Sequence, residues 1–365
     1  MRIALIIFLM VFIAGCAPKP EEEVSLSKGI VITDEMGRKA AFTSIPGRIV
    51  VLTGYPAEVI CALKEGERIV GICNPEGEYI PELRKKPSVG KSTVTPNLER
   101  IIELKPDLVI AYQWTEKEVI EKLERAEIRV LCFRVWTLAE TLQFIEKMGK
   151  LLGREKEANQ LKEFINSKID MIREKTEGIP VKKKPSIFCE VFKPYQSTAQ
   201  GENSMKTPWG KFMYKSPTQI QIEIAGGINC VGRQPVRSPI MSPEWVVEKD
   251  PDIIIKIPWV EGVGSIPSLE AMKAIRDEIM HREGLNLIKA VKEGRVYIIH
   301  SKLCAGPRQV IGTCYKAKWF HPELFPDLLP KAVHKEMLKR FWKMELQGTW
   351  TYPEELNLPV KGGKR

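Results

Sequence analysis

The chain has 365 residues, 44% of them hydrophobic and 28% charged, enough for about two soluble domains with sizeable cores. Its 26 glycines and 26 prolines are spread without any monotonous segment, which excludes a collagen-like, coiled-coil or disordered chain. Lys and Arg number 56 against 46 Asp and Glu, a net charge of +10 that suits an anionic ligand, lipid or nucleic acid without choosing among them.

Arg2 precedes an apolar stretch from Ile3 to Ala14. A charged start and a greasy middle are the pattern of a secretory signal, and the stretch is shorter than the roughly 20 residues of a membrane span. It ends at Ile13-Ala14-Gly15-Cys16, which resembles the lipobox of bacterial and archaeal lipoproteins, where the cysteine is lipidated and becomes the first mature residue. Cys16 is then the anchor, residues 1–15 the signal peptide and residues 16–29 a solvated tether beginning Ala17-Pro18-Lys19-Pro20. The alternative is an uncleaved N-terminal helix with an incidental cysteine. With the anchor, the protein works outside the cytoplasm, in the periplasm or on the outer face of the cell membrane.

The other seven cysteines include no C-x-x-C pair, so zinc and redox chemistry are not indicated. They read either as buried unpaired thiols or as including a Cys189–Cys230 disulfide between neighbouring strands.

Downstream of the tether, aliphatic runs alternate with helical spacing. Strands are expected over Arg48–Thr53, Arg68–Ile72, Asp107–Ala111 and Arg129–Phe133, with helices over Pro56–Lys64, Leu98–Leu104 and Lys117–Arg125. Continuous aliphatic strands separated by helices predict a mainly parallel sheet covered on both faces, here spanning residues 30–137. Residues 138–180 are helical with a break at Gly153. A helix over about Glu155–Lys175 would be roughly 30 Å long and could run between lobes as a spine. A second lobe over residues 181–350 restarts with strands Ser186–Val191, Asn229–Val231, Asp252–Ile257 and Arg295–His300, and residues 351–365 read as a tail.

The halves echo each other. Shifted by 145 positions, Glu99, Glu103, Pro106-Asp107, Trp114 and Glu116 fall on Glu244, Glu248, Pro251-Asp252, Trp259 and Glu261. Two related Rossmann-like α/β lobes bridged by a long helix are therefore expected. In open parallel sheets, ligands lie beyond the carboxyl ends of the strands. That rule places Tyr55, Trp114, Arg134, Trp136 and Trp259 at the walls of a cleft, with Arg237 in the loop after Val231. Arg308 stands in Gly306-Pro307-Arg308, where Pro307 is expected in the first helical position, and an arginine beside a helix N-terminus favours an anion. Indole faces suit flat ligands. Glu99 and Glu244 begin helices that precede strands. On that rim they read equally as docking contacts for a partner's cations or as favourable charge at a helix start.

These features together resemble the substrate-binding lipoproteins of ABC importers for ferric siderophores, haem and cobalamin, over residues 28–342. The marks are Pro96-Asn97-Leu98-Glu99-Arg100-Ile101 leading to Leu104-Lys105-Pro106-Asp107, then Ala225-Gly226-Gly227-Ile228-Asn229, and Gly306-Pro307-Arg308 followed by Ala317-Lys318-Trp319-Phe320-His321-Pro322. The resemblance implies a monomer that delivers a small metal chelate to a permease dimer with its ATPase, docking through Glu99 and Glu244. It implies no catalytic residue and no intrinsic cofactor, the bound ligand being a metal complex. Members of this fold also carry molybdate or tungstate, so an oxyanion remains the alternative ligand.

Two rival readings find less support. A chelatase-like enzyme lacks a signature: Gly90-Lys91-Ser92 misses the earlier glycine of a phosphate loop, and Gly262-Val263-Gly264 misses the third glycine of a dinucleotide fingerprint. The four histidines are dispersed, with His300 the one at a strand end, so a bare metal site is not expected. Nucleic-acid binding would need a basic motif interleaved with aromatics, and the lysines are instead scattered.

Overall fold

The structure is a computed structural model that describes residues 25–74, 79–191, 194, 196, 202–207, 210–232, 234, 238–258 and 266–354. Its strands are β1 Ser25–Thr33, β2 Lys39–Ser44, β3 Ile49–Val51, β4 Ile69–Ile72, β5 Leu108–Tyr112, β6 Arg129–Phe133, β7 Ser186–Val191, β8 Glu202–Thr207, β9 Gly210–Lys215, β10 Ile228–Asn229, β11 Ile253–Ile257, β12 Val296–Ile299 and β13 Thr351–Tyr352. Its helices are α1 Gly54–Ala62, α2 Pro81–Arg84, α3 Leu98–Glu103, α4 Lys117–Arg125, α5 Leu138–Leu151, α6 Glu155–Thr176, α7 Pro217–Ile224, α8 Pro243–Lys249, α9 Leu269–Met280, α10 Lys289–Lys292, α11 Gln309–Phe320 and α12 Pro330–Met337.

The two expected lobes are present. The first holds a parallel sheet in the order β4-β3-β5-β6, and the second a sheet in the order β10-β7-β11-β12-β13, parallel except for β13. Counted within each lobe, both parallel sets follow the order second, first, third, fourth. The sequence echo therefore marks a repeated topology. It also marks a repeated contact: Asp107 accepts from the backbone N–H groups of Gly47 and Arg48, both at 2.7 Å, while Asp252 accepts from Ser186 N–H at 2.8 Å. Each Pro-Asp thus ties the start of its lobe's third strand to the start of the first.

Strand alternation builds three layers of core. Val50, Leu52, Val109 and Ala111 pack on the outer face of the first sheet, and Phe188, Ile254 and Ile298 on the outer face of the second. The residues between them, Ile49, Val51, Leu108, Ile110, Ile187, Cys189, Ile253 and Ile255, join one continuous inner core with α1, α5, α6 and α11. The lobes are therefore welded through their inner faces. Gly153, at φ +63, ends α5 where the break was expected, and the 22-residue α6 that follows is about 33 Å long. One end of α6 meets the first lobe, where Glu157 pairs with Lys64. At the other end, Thr176 Oγ1 donates to Ile224 O at 2.8 Å in the second lobe.

Several boundaries differ from expectation. β1 begins at Ser25, inside the expected tether, and pairs antiparallel with β2. β13 draws Thr351 and Tyr352 out of the expected tail and into the second sheet. α11 starts at Gln309 with Arg308 as its N-cap residue, so Pro307 lies just outside the helix. Neither Cys189 nor Cys230 is joined in a disulfide, nor is any other described cysteine, so the disulfide alternative falls. Burial pushes the Cys189 and Cys230 thiols up to about 12.

Candidate functional site

The loops at the carboxyl ends of the two sheets meet. Tyr55 follows β3 and Gly306 follows β12, and a Cβ added to Gly306, at φ +66, would stand 2.3 Å from Tyr55 Cδ1. Only a glycine lets that loop lie against the ring. Trp136, beyond β6, accepts at its backbone oxygen from Gly306 N–H at 3.3 Å and from Gln309 Nε2 at 3.2 Å. Tyr55, Trp136 and Gly306 therefore come from different lobes and share one junction.

On the first-lobe side the surface is aromatic. Tyr112 and Trp136 have ring centroids 5.8 Å apart. Tyr55, Tyr112, Trp114 and Trp136 are each half-buried at the strand ends. Lys302 sits over Tyr55, its Nζ 5.4 Å from the ring centroid. Burial raises the Tyr55 hydroxyl to about 12, so it stays a neutral donor.

The arginines behave otherwise. Arg134 is clamped by Glu140: Nε donates to Oε1 at 2.6 Å and Nη2 donates to the same oxygen. Glu140 Oε2 also accepts from Thr137 N–H at 3.0 Å within a capping box at the start of α5, so the clamp is fixed to a helix end. Glu35, in the β1–β2 turn, accepts from Arg134 N–H at 3.0 Å. Burial, followed by repulsion from Glu140, raises the Glu35 carboxyl to about 7.

Arg308 is the principal correction. It is 1% exposed rather than open to a ligand, and it donates from Nε and Nη2 to Glu58 Oε2 and Oε1 at 3.0 and 2.9 Å. Glu58 is the one charged residue on a helix buried over Pro56–Ala62, and it also pairs with Lys302 at 3.4 Å. Burial opposes the charge on Glu58, but Arg308 and Lys302 outweigh it and hold the carboxyl below its ordinary range. The Arg308 guanidinium lies 4.8 Å from the Trp350 ring centroid and 5.2 Å from that of Tyr79. Sequence reasoning missed Glu58, Tyr79 and Trp350. An acidic residue set among Ala57, Val59 and Ile60 was the available signal.

Two of the residue marks named above converge at the far end of the spine. His321 Nε2 lies 3.1 Å from Gly226 O, and a Cβ on Gly226, at φ +78, would meet that nitrogen at 2.9 Å. A Cβ on Gly227 would meet the Phe320 ring at 2.7 Å. The Ala225-Gly226-Gly227 mark is thus a packing requirement at the base of the second lobe.

Glu99 and Glu244 occupy matching places, each the second residue of its helix, and both are exposed. Asn97 caps α3 by accepting from Arg100 N–H at 2.9 Å, and Ser242 caps α8 by accepting from Trp245 N–H at 3.1 Å. Among the described residues neither glutamate has an ion-pair partner. Cys16, Arg237 and Trp259 lie outside the described residues. Among those described, no group of three His, Cys, Asp or Glu is placed to hold a metal ion, and no helix is long and apolar enough to cross a membrane.

Two α/β lobes, joined by a spine and meeting through their strand-end loops, define a class of two-lobed binding proteins, and the chain belongs to the Periplasmic binding protein family, whose model matches residues 49–303. Among individual relatives, it is 28% identical over 336 residues to the uncharacterized ABC transporter substrate-binding lipoprotein YvrC of Bacillus subtilis, covering 89% of this chain and 98% of that one. It is 24% identical over 213 residues to the Vitamin B12-binding protein of Pectobacterium carotovorum, covering 58% of this chain and 71% of that one. Among solved structures, the molybdate-bound MolA of Haemophilus influenzae superposes with a TM-score of 0.70 at 17% identity, over 88% of this chain and all of that one, a likeness of fold.

Proposed function

We propose that the chain is the extracytoplasmic binding component of an ABC importer, leashed to the membrane through lipidated Cys16. In this reading it captures a metal complex of the siderophore, haem or corrinoid type between its strand-end loops. It then presents the loaded lobes to a permease dimer through Glu99 and Glu244. The match to YvrC over nearly that protein's whole length supports the transport role.

The observation that carries the ligand class is the contrast within the junction: Tyr55, Tyr112, Trp114 and Trp136 are only half-buried, whereas Arg134 and Arg308 are each held by a glutamate. Rings stack on large flat ligands, while a small oxyanion needs cations not already committed to carboxylates. Oxyanion binding on the same fold is the competing reading. The test is titration of the lipid-free protein with cyanocobalamin, haemin, a ferric hydroxamate, a ferric catecholate and molybdate, followed by tryptophan fluorescence. Saturable quenching by one of the complexes and none by molybdate is the expected result; saturation by molybdate alone would overturn the ligand class.

A further inference from the structure

Two of the large apolar side chains that the described residues leave exposed lie in the segments leading into the helices that carry the two glutamates. Val94, 38% exposed, lies three residues before the Asn97 cap of α3, and Ile240, 69% exposed, lies two residues before the Ser242 cap of α8. The two are one position out of register in the 145-residue echo, which pairs Val94 with Pro239 and Ile240 with Thr95, yet each lobe has an exposed aliphatic residue shortly ahead of its capping residue and exposed carboxylate.

Neither aliphatic residue belongs to a loose loop. Ser92 Oγ accepts from Val94 N–H at 3.2 Å and from Thr95 N–H at 3.0 Å, while Val94 O accepts from Glu116 N–H at 3.0 Å at the start of α4. Ile240 forms an antiparallel bridge with Gln196, whose Nε2 donates to Ser238 O at 3.4 Å. Holding an apolar side chain in water on pinned backbone gains nothing for the fold. In an interface it supplies burial with little further ordering cost. A carboxylate alone at a wet rim contributes little affinity, and neighbouring apolar contacts that exclude water strengthen it.

Resting on the permease-docking reading of Glu99 and Glu244, we infer that Val94 and Ile240 are part of the same docking surface. Each lobe presents a carboxylate with an aliphatic shoulder. The fitting partner is a two-fold permease dimer offering, on each half, a cation beside an apolar contact. Ile240, the more exposed of the two, carries the larger share.

The test measures binding of the loaded full chain to its permease–ATPase complex in nanodiscs. Ile240→Arg should weaken binding by about tenfold or more and Val94→Arg by several-fold, on the scale of interface hot spots. Ile240→Ser, which adds no bulk, should give a smaller loss in the same direction. Val181→Arg and Leu329→Arg, at residues 70% and 65% exposed elsewhere, should bind as the parent does. Thermal midpoints and ligand affinity should be unchanged in all five variants. If the Val94 and Ile240 variants bind normally while Glu99→Ala with Glu244→Ala does not, the aliphatic shoulders play no part and this inference fails. If the glutamate pair also binds normally, the docking reading itself fails.

Discussion

Arg308 and Glu58, 250 positions apart in sequence, form a two-bond ion pair sealed between the lobes, with Nε–Oε2 at 3.0 Å and Nη2–Oε1 at 2.9 Å. Around it the C-terminal segment crosses onto the first lobe: Trp342 Nε1 donates to Glu58 O at 2.9 Å, and Gln347 N–H donates to the Tyr79 hydroxyl at 3.1 Å. Both partners are 1% exposed, so this pair acts in the interior rather than as a surface bridge.

Removing one partner leaves the other charge buried and uncompensated, at a cost of about 3–5 kcal/mol. Glu58→Gln should therefore lower the urea-unfolding free energy by an amount in that range. Replacing both residues with Met should restore most of the loss, because an apolar pair of similar volume needs no desolvation. A double variant no better than the single one would show that the pair does more than neutralise itself.

Acid should loosen this region in a definite window. Burial, reinforced by Arg308 and Lys302, lowers the His300 imidazole to about 3, and burial drives His334 well below its ordinary value. Each ring is neutral in the folded chain but takes up a proton on unfolding below about pH 6.5. The stability they contribute is complete above that pH and is lost as the pH falls, for His300 toward about 3, at about 1.4 kcal/mol per pH unit per ring. Unfolding curves between pH 6.5 and pH 4 should show this slope, and His300→Gln should remove about one proton's worth of it.

Glu35 should show the opposite sign. Its carboxyl is raised to about 7, so its contribution is present below the ordinary carboxylate range and is lost as the pH climbs to about 7. Glu35→Gln keeps an acceptor for Arg134 N–H and removes the ionisation. The variant should match the parent at pH 4 and be more stable at pH 8, as read from thermal midpoints at the two pH values.

Ligand affinity should depend on the junction rings. Trp114→Ala and Tyr55→Ala should each weaken binding of the saturating complex by about tenfold, the order of a lost stacking contact with its buried area. Gly306→Ala should weaken it too, because the new methyl group would displace the Tyr55 ring against which Gly306 packs. Isothermal titration of the three variants is the check, and unchanged affinity in the first two would remove the rings from the site.

What is local or repeated was legible in the order of the residues. α4, β6 and β7 lie where their periodicity puts them, the break at Gly153 holds, and the 145-residue echo marks two lobes of one topology. Side-chain spacing and turn chemistry act over a few residues, so they are written in the chain. The partner of Arg308 was settled by long-range packing, whereas Arg134 meets Glu140 only six residues on, through the capping box that opens α5. An arginine before a helix looks the same in sequence whether it awaits an anion or meets a glutamate, and Glu58 reaches Arg308 only after the inner faces of both sheets bury around α1. The same packing placed Trp350 against His300, with ring centroids 4.8 Å apart. No local pattern encodes such a contact, because its free energy comes from excluding water between segments the chain keeps far apart.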